Sequence, residues 1–134
     1  MLRRFVSALV LSACCSLMAS CLGQDIVKVE ELSPNGKYKA DLIEGDTGAV
    51  GGWESAVLVS ETSPSRWTRL LGHERETVFG LSLRSTHVTL AWTNDKQLGI
   101  TCSGCAADKI ELQRNAWKDV TVSYEISGTG AANR

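Results

Sequence analysis

Short runs of alternating apolar and polar residues recur from Lys37 to Ile126, and they constrain the fold of this chain more than any other feature. Val120, Val122, Tyr124 and Ile126 alternate with Asp119, Thr121, Ser123 and Glu125. Val88, Leu90 and Trp92 alternate with His87, Thr89 and Ala91, and Tyr38, Ala40 and Leu42 with Lys37, Lys39 and Asp41. Phe79, Leu81 and Leu83 form a further set, as do Leu98, Ile100 and Cys102, and Ile110 with Leu112. A period of two puts the apolar members on one face of a pleated strand and the polar members on the other. Ala56, Val57, Leu58 and Val59 are apolar on both faces, which suits a central strand.

The breaks between these runs carry turn chemistry. Ser33-Pro34-Asn35-Gly36 places proline where φ near −65° is wanted and glycine where φ is free to be positive, so it joins two strands. Arg84-Ser85-Thr86-His87 is short enough for a hairpin, and Thr93 to Gln97 is a polar loop of hairpin length. No long stretch carries a helical stripe; Arg66 to Leu71 has room for one turn. About eight closely spaced strands predict an all-β fold, a single small antiparallel β-sandwich or barrel. The expected organisation is a leader over 1–20, a β-domain over 21–126 and a flexible tail over 127–134.

The leader has its own signature. Arg3 and Arg4 precede an uncharged, mostly apolar run from Phe5 to Met18, and Ala19-Ser20 place small residues before Cys21. That is the layout of a bacterial secretory signal ending in a lipoprotein cleavage site. The run is shorter than the roughly 20 residues a spanning helix needs. Cys21 is the expected lipid carrier. Cys14 is the alternative, because Leu11-Ser12-Ala13-Cys14 matches the lipobox pattern Leu-[Ala/Ser]-[Gly/Ala]-Cys more closely. Cleavage there would leave a short apolar core and strand Leu17-Met18 on the mature chain. The expected setting is the bacterial cell envelope, with the domain tethered to a membrane and facing the periplasm or the cell exterior.

The chain has 14 basic and 15 acidic residues, and two of the basic ones, Arg3 and Arg4, belong to the leader. No basic stripe remains in the body, which argues against nucleic acid as a partner. Of five cysteines, Cys14, Cys15 and Cys21 lie in or beside the leader, so the body keeps Cys102 and Cys105. In an oxidising compartment a Cys-x-x-Cys pair such as Cys102-Ser103-Gly104-Cys105 is expected to close a structural disulfide. A redox-active pair would sit at a helix N-terminus that lowers the thiol pKa, and Ala106-Ala107-Asp108 is too short to build that helix. A zinc site lacks a second Cys-x-x-Cys, and His73 and His87 lack ligand spacing, so neither metal nor cofactor is expected.

No residue is assigned a catalytic role. Asp46-Thr47-Gly48-Ala49 matches the Asp-Thr-Gly-Ala of retroviral-type aspartic proteases, whose two carboxylates share a proton across a two-fold axis. Glu44-Gly45 separates it from the preceding strand, so it is read as part of a glycine-rich loop over 45–52. There is no Gly-x-Ser-x-Gly. Trp53 and Trp67 flank loops and are candidates either for an exposed binding surface or for capping the core; Trp92 falls on an apolar face.

Leu32-Ser33-Pro34-Asn35-Gly36-Lys37-Tyr38-Lys39-Ala40 resembles the Ser-Pro-Asp-Gly-Lys-Tyr-x-Ala opening of a family of small, uncharacterised bacterial secreted proteins and lipoproteins. The strands Val88 to Trp92, Leu98 to Ile100 and Val120 to Tyr124 continue the likeness, and Thr47 stands where that family commonly has cysteine. The resemblance implies an exported β-domain and no particular activity. Together these features predict a lipid-anchored envelope protein, a non-enzymatic binding module of inhibitor or immunity type. Its partner would be another envelope protein. The alternative is a thiol-disulfide or metal-handling protein acting through Cys102 and Cys105.

Overall fold

A computed structural model describes residues 26–45, 53–82 and 87–128. The expected signal with Cys14 and Cys21, residues 46–52 with the Asp46-Thr47-Gly48-Ala49 motif, residues 83–86 and the tail from 129 onward lie outside the described residues. Among the described residues, nine strands and one short helix form in the order β1 (Ile26–Leu32), β2 (Tyr38–Glu44), β3 (Ser55–Glu61), α1 (Arg66–Leu70), β4 (Arg75–Leu81), β5 (Val88–Asn94), β6 (Gln97–Ser103), β7 (Ile110–Gln113), β8 (Ala116–Trp117) and β9 (Val120–Ser127). A 3-10 turn, Ala107–Lys109, precedes β7.

The strands make two sheets, one in the order β1-β2-β3-β4-β7 and one in the order β5-β6-β9-β8. Their inner faces share one core that includes Tyr38, Val57, Phe79, Leu98, Ile100 and Val122. Apart from Val57, from the stretch apolar on both faces, these are the apolar members of the alternating runs. Burying each contributes about 1.5–3 kcal/mol relative to leaving it in water. The all-β sandwich therefore follows from the alternation. β3, apolar on both faces, lies between β2 and β4 as its composition requires.

Three details differ from the sequence expectation. The second sheet is mixed: β6 and β9 pair in parallel, Leu98 with Val122 and Ile100 with Tyr124. A parallel pair needs a long crossover. Here the chain leaves β6 through the Cys102–Cys105 loop, pairs with the first sheet as β7, and returns through β8 to enter β9 beside β6. Second, β4 and β5, the strands on either side of the expected Arg84–His87 hairpin, do not pair with each other, because they belong to different sheets. The far edge of β4 is taken by β7 instead. Third, the loop after β5 is tighter than five residues. Asn94 pairs with Gln97, and the Asn94 side chain accepts from the Lys96 amide at 2.9 Å, doing the work of a backbone turn.

β4 carries a β-bulge. Val57 pairs with Phe79 but Leu58 pairs with Thr77, so Val78 is the extra residue. Both Val78 and Phe79 are consequently buried, where strict alternation would bury only one. The exposed edge of β1 is partly protected: the Trp92 indole N–H donates to the Glu31 carbonyl at 3.0 Å. β9 runs one residue further than the sequence boundary at 126, and Ser127 accepts from the Gly104 amide at 2.5 Å.

Candidate functional site

The turns at one end of the sandwich frame a polar cleft. Its first wall is the Ser33–Lys37 turn between β1 and β2. The Ser33 hydroxyl is buried beneath it and accepts from the Tyr38 amide at 2.9 Å, while Asn35 Oδ1 accepts from the Lys37 amide at 2.9 Å. Gly36 has φ of 68°, the conformation that the sequence assigned to this glycine. The second wall is the segment from β3 into α1. Thr62 ties it to the first: its amide donates to the Lys37 carbonyl at 3.0 Å and its hydroxyl to the Gly36 carbonyl at 2.6 Å. Ser65 caps α1 by accepting from the Thr68 amide at 3.1 Å. The cleft is open, has a volume of about 420 Å³ and is bordered by Asn35, Lys37, Glu61, Ser63 and Thr68 among others.

A charged and aromatic cluster braces the same end. The Tyr38 ring lies in the core, 6.4 Å from a stacked Trp92 and 6.2 Å from the edge of Trp117. Its hydroxyl emerges to donate to Asp119 in the turn between β8 and β9, so one side chain links the two sheets. Asp119 also pairs with Lys96 at 3.0 Å and Lys37 at 3.7 Å. Lys118, with φ of 52°, pairs with Glu61 at 3.0 Å and lies over the Trp117 ring. The Tyr38 hydrogen bond and then the Lys96 ammonium hold the Asp119 carboxyl well below the usual carboxylate range. Burial, followed by the hydrogen bond to Asp119, raises the Tyr38 phenol. Near neutral pH Tyr38 keeps its proton and Asp119 its charge. The cluster therefore holds fixed charges that can position a polar ligand.

The residues singled out from the sequence lie elsewhere. Cys102 and Cys105 meet at disulfide-bonding distance, with Cα atoms 5.7 Å apart; Cys102 is fully buried and Cys105 nearly so. Gly104, with φ of 77°, makes the turn between them. Trp53 is half-buried and lies over Gly80, where a Cβ would come within 2.9 Å of the indole. Trp67 projects from α1 with 72 % of its surface exposed. Sequence reasoning marked the Ser33–Gly36 turn and missed Asp119, Lys96 and Thr62. They come from turns distant in sequence, and only the stacking of strand ends brings them together. Among the described residues there is no group of three or more His, Cys, Asp or Glu side chains able to hold a metal ion, and no helix long and apolar enough to cross a membrane. No family model, curated protein or solved structure matches the chain.

Proposed function

We propose that this chain is a lipid-anchored envelope protein whose β-sandwich is a non-enzymatic binding module of inhibitor or immunity type. Cys21 carries the lipid, and the partner is another envelope protein. The observation that carries the reading is the cleft: it is preformed by hydrogen-bonded turns, and it presents Lys37, Glu61 and several hydroxyl and amide groups. Preformed walls lose little conformational entropy when a ligand docks. The burial of Cys102 and Cys105 weighs against the thiol-disulfide alternative, because exchange requires an attacking thiolate to reach the sulfur.

Two measurements test this. Intact-mass analysis of membrane-extracted protein should give a chain beginning at Cys21 with added acyl mass. A start at Cys14 moves the anchor, and an unmodified chain removes it. Cross-linking of the tethered protein in intact cells should capture a partner, and Ser63→Trp, which fills the cleft, should abolish that capture. Unchanged capture by a folded Ser63→Trp variant would show that the cleft is not the binding site.

A further inference from the structure

Among the described residues, the most exposed large apolar side chains lie in and beside α1. Trp67, Leu70 and Leu71 are 72 %, 73 % and 64 % exposed, and α1 buries none of its residues. Packing against the sandwich therefore does not account for these side chains. The helix is nonetheless well fixed. Ser65 caps its start, the Leu71 amide donates to the Trp67 carbonyl at 3.0 Å, and the His73 amide donates to the Thr68 carbonyl at 3.0 Å. It connects β3 and β4, which are central in their sheet. Arg66 and Arg69 are interleaved with the apolar residues, and no acid lies in the first turn.

Three requirements bear on what covers this ridge. It borders an open hollow of about 660 Å³ lined by Arg66, Trp67, Arg69 and Leu70, and its three large apolar side chains offer far less than the roughly 800 Å² each partner commits to a standard protein interface. Its charge is basic, so a second copy docked face to face would bring four guanidinium groups together. Tryptophan and arginine on one short apolar projection match a membrane interface instead, with the indole at headgroup level and the guanidinium groups on phosphates. We propose that α1 is a second membrane contact, docking on anionic phospholipid through Trp67, Leu70 and Leu71 with Arg66 and Arg69 on the headgroup phosphates.

The contact rests on the tethered reading above and refines it. α1 borders the cleft formed by the β1–β2 turn, so it lies at the end of β1 remote from Ile26. Seven residues of β1 span about 23 Å. Ile26, the described residue nearest to Cys21 in sequence, lies at the other end, and both Ile26 and Val27 are exposed. Attachment at both ends lays the strands along the membrane plane and turns one edge of the sandwich toward it.

The test uses the full acylated protein in vesicles of phosphatidylglycerol and brominated phosphatidylcholine, with tryptophan emission as the readout. The wild-type protein should lose an emission component that Trp67→Phe lacks from the outset. Arg66→Gln with Arg69→Gln should shift the docked ratio roughly 25-fold, from about 1 kcal/mol per basic residue near an anionic surface. Vesicles without phosphatidylglycerol should give the same loss. Leu70→Gln should reduce quenching while leaving far-ultraviolet circular dichroism unchanged. Vesicle-bound protein whose Trp67 stays unquenched overturns the proposal, as does a Trp67-dependent dimer in sedimentation velocity. If intact mass shows no acyl group, the tether falls separately. Quenching of the unacylated chain by the same vesicles would then sustain the α1 contact, and its absence would end it.

Discussion

Tyr124 does more than fill the apolar face that its alternation predicts. Its hydroxyl lies 2.6 Å from the Arg114 carbonyl and 2.8 Å from the Val78 carbonyl, and it accepts from the Arg114 amide at 3.1 Å. A residue of β9 thus holds the bulge of β4 in the opposite sheet. Burial pushes its phenol up to about 12. Between the ordinary tyrosine value near 10 and that raised value, the unfolded chain ionises while the folded chain keeps its proton. The unfolded state then binds fewer protons, so stability falls as pH rises through that window. Tyr124→Phe should cost about 1–2 kcal/mol in urea unfolding at neutral pH and flatten the loss between pH 10 and 12; an unchanged alkaline slope would place the effect elsewhere. Gly80 is a second position decided by a neighbour. A Cβ there meets Trp53 Cδ2 at 2.9 Å, so Gly80→Ala should cost about 1–3 kcal/mol and shift the Trp53 emission. In a Trp53→Ala background the same substitution should cost much less, and an equal cost in both backgrounds would clear Trp53 of the effect.

At the scale of elements, legibility depended on whether a segment's partners were local. The β1–β2 hairpin was readable because Ser33-Pro34-Asn35-Gly36 contains its own turn bonds. The β5–β6 pair was readable for the same reason, apart from the length of its turn. The destination of the chain after β4 was not, since a short polar linker reads alike whether it closes a hairpin or carries the chain to another sheet. The two-residue β8 left no pattern to find. The Cys102–Cys105 loop is a local element too, and it packs on the end of β9: a Cβ on Gly128 would lie 2.5 Å from the Cys105 carbonyl oxygen. A bridge around two residues constrains the unfolded chain less than the ~3 kcal/mol of a 15-residue loop. Cys102→Ser with Cys105→Ser should therefore lower the melting temperature and leave the strand content seen by circular dichroism intact. Failure of that variant to fold would mean that the bridge organises the β6–β9 crossover.

Across the whole molecule, protection should follow sheet position. β2, β3 and β4 are flanked on both sides, and β6 and β9 form the centre of the second sheet, whereas β1 has an open edge and α1 is solvent-exposed. Native-state hydrogen exchange should find the slowest amides in β2–β4, β6 and β9, and the fastest among these elements in α1 and β1. Protection of β1 equal to that of β3 would reveal a covered edge. The sequence by itself determined which side chains of β2, β5, β6 and β9 go inside, because a period of two gives each of these strands a single apolar face. It also determined the first hairpin and the central character of Ala56 to Val59, where the necessary chemistry lies within a few residues. Only the tertiary structure decided that β9 runs parallel to β6, that Val78 bulges, that Asp119 meets Tyr38, Lys37 and Lys96, and that Trp53 is covered while Trp67 is not. Each of these depends on which strand ends stack together, and pairing between distant segments leaves no local period in the chain.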